Sequence, residues 1–242
     1  MPEPTPHRFF FVHVMKTSGS TFRSHLHDQF PGACFPGHFT EDERPILDNL
    51  LVSRVLELPP EVHARIRAYS GHFPFVVPSL IDPALVTLTM LREPISRIVS
   101  HLKHTKRVEP RHHDHSLEEI YEDPWTFPLF LHDHQVKVFA MTRDDKLESV
   151  MDVIDIDDDR LRIALDHLRS VDVLGFTDRH DEFLAECERR FGITHTPARG
   201  RWRAATEDWT PSAELLRRIE RDNQRDVEFY ELALEHAAER AR

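Results

Sequence analysis

From Phe9 to Val14 the chain is apolar except at His13, and at Lys16 it changes abruptly to Lys16-Thr17-Ser18-Gly19-Ser20-Thr21. A short apolar run that stops at a polar, Gly-containing loop and resumes as an amphipathic segment predicts strand, loop and helix. The helix is expected from Ser20 to about Gln29, with Phe22, Leu26 and Phe30 on one face. Ala84 to Leu91 is apolar or β-branched throughout and predicts a second buried strand. Ile95 to about Lys106 follows as a helix with Ile98, Val99 and Leu102 inward and Pro94 in its first turn. Elsewhere, helical spacing marks Glu43–Leu58, Pro60 to Ala68, Asp157–Arg169 and a terminal helix opening at Thr210-Pro211. Pro31 to Thr40 reads as loop, Tyr69–Val77 as a brief strand and turn, and Trp125–Ala140 as a core helix with a polar edge.

The loop after the first strand points backbone N–H groups and the positive end of a helix at one spot beside Lys16, an arrangement that suits an anion. A buried strand followed by any Ser- or Thr-capped helix has the same hydropathy. The second strand separates the two readings. Arg92 stands at its carboxyl end, with Arg97 and Ser100 in the next two turns. Ligands of open α/β sheets bind outside the carboxyl ends of strands, and here two such ends carry anion-binding residue types.

Length and composition narrow the class. The 242 residues, 40% of them hydrophobic, suffice for one buried domain spanning residues 1–242. The net charge of −11 disfavours nucleic acid or an anionic membrane as partner. Locally the sign reverses: His101 to His115 holds Lys103, Lys106, Arg107 and Arg111 with five histidines, either a solvated helix end or the positive rim of a cleft. Cys34 and Cys187 lie far apart and lack metal-ligand spacing, so reduced thiols and no metal site are expected. With no leader and no apolar run of the ~18 residues a membrane span requires, a soluble, cytoplasmic protein is expected.

The Lys16–Thr21 loop after a strand, together with Leu91-Arg92-Glu93-Pro94-Ile95-Ser96-Arg97-Ile98-Val99-Ser100, resembles the paired cofactor motifs of the PAPS-dependent sulfotransferases. The carbohydrate branch, similar to the heparan sulfate 2-O-sulfotransferases, is the nearest match. Gly71-His72 resembles that branch's Gly-His. Asp172 to Thr177, followed by a helix from His180 to Phe191, resembles a further strand and helix, and Asp226 to Tyr230 a terminal Asp-x-x-x-Tyr. Met15 stands where the family usually has Pro before the lysine, and Leu102 where an aromatic is common.

The resemblance implies an α/β fold with a central, mainly parallel sheet flanked by helices, P-loop-like in its first motif. It implies that Lys16, Thr17, Ser18, Gly19, Ser20 and Thr21 cradle the phosphosulfate of PAPS and that Arg92 and Ser100 bind its 3′-phosphate. Arg201 and Trp202 would close over the nucleotide, His72 would be the catalytic base and Lys16 would stabilise the leaving group. His101, His104, His134, Gln135 and Lys137 would lie near the acceptor, a hydroxyl on a saccharide or small molecule. Glu93 is a second candidate base or a partner for Arg92. PAP, adenosine 3′,5′-bisphosphate, would be the product. A kinase P-loop is the physical rival, but it needs its lysine after the glycines and an acidic partner for magnesium; Lys16 precedes Gly19. A nucleotide-binding protein without turnover is the remaining alternative.

Overall fold

The computed structural model describes residues 7–37, 48–194, 209–240 and 242. Strands β1 (Phe9–Val12), β2 (Cys34–Phe35), β3 (Ala68–Gly71), β4 (Val86–Leu91) and β5 (Val173–Phe176) form a parallel sheet in the order β2-β3-β1-β4-β5. The helices among the described residues are α1 (Gly19–Gln29), α2 (Val52–Leu56), α3 (Pro60–His63), α4 (Val77–Ile81), α5 (Pro94–Val108), α6 (Leu117–Tyr121), α7 (His134–Ala140), α8 (Asp158–Arg169), α9 (His180–Phe191), α10 (Ala213–Asp222) and α11 (Gln224–Arg240). The α/β architecture expected from the sequence is the one the chain adopts.

All four residues of β1 are buried because both faces of the sheet are covered. Phe9 and Phe11 pack with Phe22 and Leu26 of α1 and Phe183 of α9. Phe10 and Val12 face the other way, into a core shared with Tyr69, Phe139, Leu161 and Phe229. A third cluster joins Ile98 and Leu102 of α5 to Ile120 of α6 and Ile219 of α10. Cys34 and Cys187 are free thiols in the core. No described helix is long and apolar enough to cross a membrane.

The sheet order fixes where a ligand fits. From β1 the chain proceeds to β2 at one edge, whereas from its neighbour β4 it proceeds to β5 at the other. Connections that leave adjacent strands in opposite directions open a crevice at their carboxyl ends. Lys16 and Arg92 stand on its two sides.

Some elements differ from expectation. The Pro31–Thr40 loop contains β2, held beside β3 by pairing of Cys34 with Ala68 and Phe35 with Tyr69. The helix at Pro60 stops at His63, and α4 occupies Val77–Ile81 after a strand that ends at Gly71. Trp125–Ala140 is not one helix: a π-helical turn spans Phe127–Leu131, and α7 begins only at His134. Pro128 in that turn has no N–H to give, and His132 N–H bonds back to Phe127 O at 2.9 Å.

Candidate functional site

The turn between β1 and α1 is an open cradle. Lys16 and Ser18 both have φ of 67°, in the left-handed region, with Thr17 between them outside it. Residues other than glycine sit there at a cost of roughly 1–2 kcal/mol each. Such alternation turns successive N–H groups toward one concavity. Among the described residues the N–H groups of Lys16 through Ser20 donate to no backbone or side-chain acceptor. Ser18, the N-cap of α1, makes no side-chain cap bond, and the first turn holds no acidic residue. The helix therefore presents its positive end unneutralised. The Ser18 and Ser20 side chains are exposed and Thr21 is half-buried. Thr17 is different: its hydroxyl is buried and donates to Val14 O at 2.9 Å, so it braces the loop instead of facing a ligand.

Gly19 is required by packing. A β-carbon there would lie 2.1 Å from Cδ2 and 2.4 Å from Nε2 of His13. That imidazole, wedged behind the loop, stacks on Phe11 and lies 4.3 Å, centroid to centroid, from the ring of His72.

The two strand ends are tied together. Arg92 Nη1 donates to Lys16 O at 3.2 Å. Gln135 grips the Arg92 backbone from both sides: its Oε1 accepts from Arg92 N–H at 3.1 Å and its Nε2 donates to Arg92 O at 2.8 Å. Gln135 is fully buried; it positions Arg92 and is not in the acceptor's path. Glu93 is likewise engaged, since its carboxylate caps α5 by accepting from the N–H groups of Ile95 and Ser96.

Asp226, from the terminal Asp-x-x-x-Tyr, stands behind Gln135. Its carboxylate accepts from the N–H groups of Gln135 and Val136 at 3.2 and 2.8 Å, capping α7 from a distant helix. It also lies 3.9 Å from Arg97 Nε, with both side chains fully buried. Burial holds the neighbouring carboxyls Asp133 and Asp226 above the usual range, against the pull of Arg97. Arg97 donates to the carbonyls of Phe130 and Leu131, and Lys137 donates to those of Pro128 and Leu129. Both cations thus bond to carbonyls of the π-helical turn. Lys137, expected near the acceptor, is 2% exposed and belongs to the wall.

The charges left in the crevice are positive. Burial, with Arg107 and then Arg92 nearby, lowers Lys16 to about 8. Lys16 Nζ has no hydrogen-bond or ion-pair partner among the described residues. Ser100 is half-buried on α5, and at helical spacing it shares a face with His104 and Arg107, whose charges Lys16 feels or is felt by. Elsewhere in the basic run, Lys106 bonds to the carbonyls of His113 and His115, and Arg111 pairs with Glu109. His104 is lowered to about 4 by burial and by Lys16. His101 is buried and stacked on Phe130, and His134 is fully buried; neither is open to an acceptor. Arg201 and Trp202 lie outside the described residues.

His72 lies within electrostatic reach of Lys16. Its Nδ1 lies 2.6 Å from the carbonyl oxygen of His13. A carbonyl only accepts, so Nδ1 carries the proton and Nε2 keeps its lone pair. Nε2 has no partner among the described residues. Burial, with Arg23 and Lys16 adding to it, lowers His72 to about 4 against the help of the His13 carbonyl, so the ring is neutral at pH 7.

Sequence reasoning missed Arg23 and Asn49. Arg23 Nη1 donates to Asn49 Oδ1 at 2.9 Å, and Asn49 O accepts from His72 N–H at 2.8 Å. The signal available was a basic residue one turn into the helix that follows the loop; its partner lies 26 positions away. No protein-family model matches the chain, and no curated protein matches it.

Proposed function

We propose that the crevice binds PAPS and that the chain transfers its sulfuryl group to an acceptor hydroxyl. The observation that carries this reading is the convergence of Lys16 and Arg92, neither of them in a salt bridge among the described residues, on the uncapped start of α1 beside a neutral histidine with a free Nε2. A ligand with anionic groups at two places matches cations supplied by two strand ends. In a chain of net charge −11, keeping such cations unpaired has a reason if a ligand neutralises them.

When bound, PAPS supplies the sulfuryl group: the acceptor oxygen bonds to sulfur, the bond from sulfur to the 5′-phosphate oxygen breaks, and its electron pair leaves with PAP. The N–H groups of Lys16 to Ser20 and the hydroxyls of Ser18, Ser20 and Thr21 would hold the phosphosulfate, and Lys16 would stabilise charge on the departing oxygen. Arg92, Ser100 and Arg107 would hold the 3′-phosphate. His72 Nε2 would take the acceptor's proton. An anion beside Lys16 offsets one of the charges that help depress His72, raising its pKa from about 4 as the site fills.

The test is transfer of label from [35S]PAPS to a panel of sugars, alcohols and hydroxy acids, alongside binding of PAP and of ATP with magnesium. Transfer by the wild-type chain, lost in His72→Ala while PAP still binds, is the expected result. Stronger binding of ATP with magnesium than of PAP would overturn it.

A further inference from the structure

Asn49 ties the Arg23 side chain to the backbone of the segment that carries His72. Its side-chain carbonyl fixes the Arg23 guanidinium and its backbone carbonyl fixes the segment carrying His72, at 2.9 and 2.8 Å. Arg23 is half-buried on α1. With Nη1 engaged by Asn49, the edge formed by Nε and Nη2 has no bond among the described residues. The acid group acting most on Arg23 is the Cys34 thiol, which burial pushes up to about 12 and so keeps neutral. No carboxylate balances this cation among the described residues.

The positive groups of the crevice fall into two sets. Lys16 is acted on by Arg107 and Arg92. Arg23, together with Lys16, acts on His13 and His72. The shared bonds to Asn49 place Arg23 on the side of the crevice where the base is, and Arg92 and Arg107 are the cations that act on Lys16. A guanidinium with one edge free matches a carboxylate in a planar, two-bonded pair.

We propose that Arg23 recognises a carboxylate on the acceptor, so that the substrate is a hydroxy acid whose hydroxyl is delivered to His72 Nε2 while its carboxylate rests on Arg23. This rests on the sulfuryl-transfer reading and names the substrate class for that site. Asn49 sets the spacing between the two recognition points. The transfer itself is unchanged: the hydroxyl oxygen bonds to sulfur, its proton goes to His72, and PAP leaves.

The test compares hydroxy acids of graded length, aliphatic, aromatic and sugar acids, with their primary amides. Wild type should favour the acid of at least one matched pair by about tenfold or more in kcat/KM, as expected for a charge-assisted pair. That acid, added to the PAP complex, should raise its melting temperature while the amide does not. In Arg23→Gln the acid-over-amide ratio should fall to near one and the acid-induced shift vanish, with PAP affinity within about twofold of wild type; circular dichroism checks the fold. Arg23→Lys should retain part of the preference. Equal use of acid and amide by wild type, PAP binding with no hydroxy acid transferred, or loss of PAP affinity in Arg23→Gln overturns the role of Arg23. Absence of PAP binding together with absence of transfer to any acceptor would instead remove the sulfuryl-transfer reading.

Discussion

Gly19 and His13 share one volume: the imidazole of His13 occupies the space a β-carbon on Gly19 would need, 2.1 Å from its Cδ2. Gly19 lies outside the left-handed region, so its hydrogen side chain answers a steric demand. Gly19→Ala should destabilise the chain by about 1–3 kcal/mol, the usual range for overpacking. His13→Ala in the same chain should return part of that loss. A double-mutant cycle by urea denaturation measures the coupling, and additive effects would show that the two do not compete.

Lys16 should be needed as a cation. Lys16→Ala is expected to weaken PAP by about 10- to 150-fold, the range of 1.5–3 kcal/mol for charged hydrogen bonds. Because burial and neighbouring cations bring Lys16 to about 8 in the free chain, PAP affinity should hold at neutral pH and decline as the pH rises through that value. Calorimetric titration at several pH values gives the profile; a wild-type curve flat to pH 9.5 would exclude Lys16 as the titrating group.

Gln135 should matter without touching a ligand. Gln135→Leu leaves both backbone groups of Arg92 without their partner, a loss of about 1–3 kcal/mol for each unsatisfied buried group. PAP affinity should fall with it, because Arg92 loses its anchor. If the variant melts earlier and binds PAP unchanged, Arg92 is held by other means.

Asp226→Ala removes the cap of α7 and the carboxylate beside Arg97 together. Breaking a buried pair from one side costs about 3–5 kcal/mol, enough to lower the urea midpoint severely. A variant with wild-type stability would mean that the carbonyls of Phe130 and Leu131 satisfy Arg97 by themselves.

Acid should unfold the chain early. His13, His72, His101, His104 and His134 all lie below their ordinary value of 6.5, first through burial. Between about 6.5 and 4 the unfolded chain takes up protons on these rings that the folded chain refuses, so stability is full above that window and is lost as the pH falls through it. The raised Asp133 and Asp226 pair acts in the opposite sense but with two groups against five. Urea midpoints at pH 7.5 and 5 should differ accordingly, and equal midpoints would contradict the burial of these neutral rings.

The parts of the fold legible in the sequence are those whose cause is local. β1 reads as an unbroken apolar run and β4 as apolar or β-branched throughout, and the loop after β1 advertises itself by a change of residue type. β2 has only two residues and exists because β3 offers an edge, which no local pattern encodes. Gln135 and Lys137 are expected near an acceptor from the resemblance alone, while the local pattern reads their stretch as a core helix with a polar edge. Their partners are backbone groups, bared at a strand end and in a π-helical turn, and a sequence does not display unpaired carbonyls. Arg23 and Asn49 escaped notice for a similar reason, since their meeting depends on the chain folding back over 26 positions.

The π-helical turn at Phe127–Leu131 has an electrostatic consequence for the neighbouring crevice. Its carbonyls solvate Lys137 as water would, by dipoles that carry no net charge. A carboxylate in their place would cancel the ammonium and leave little field at a distance, whereas a dipole cage leaves the monopole intact. The protein thereby keeps a buried cation in its wall with carbonyls as its bonded partners, screened from salt by burial, while Asp226 and Asp152 temper its field through space.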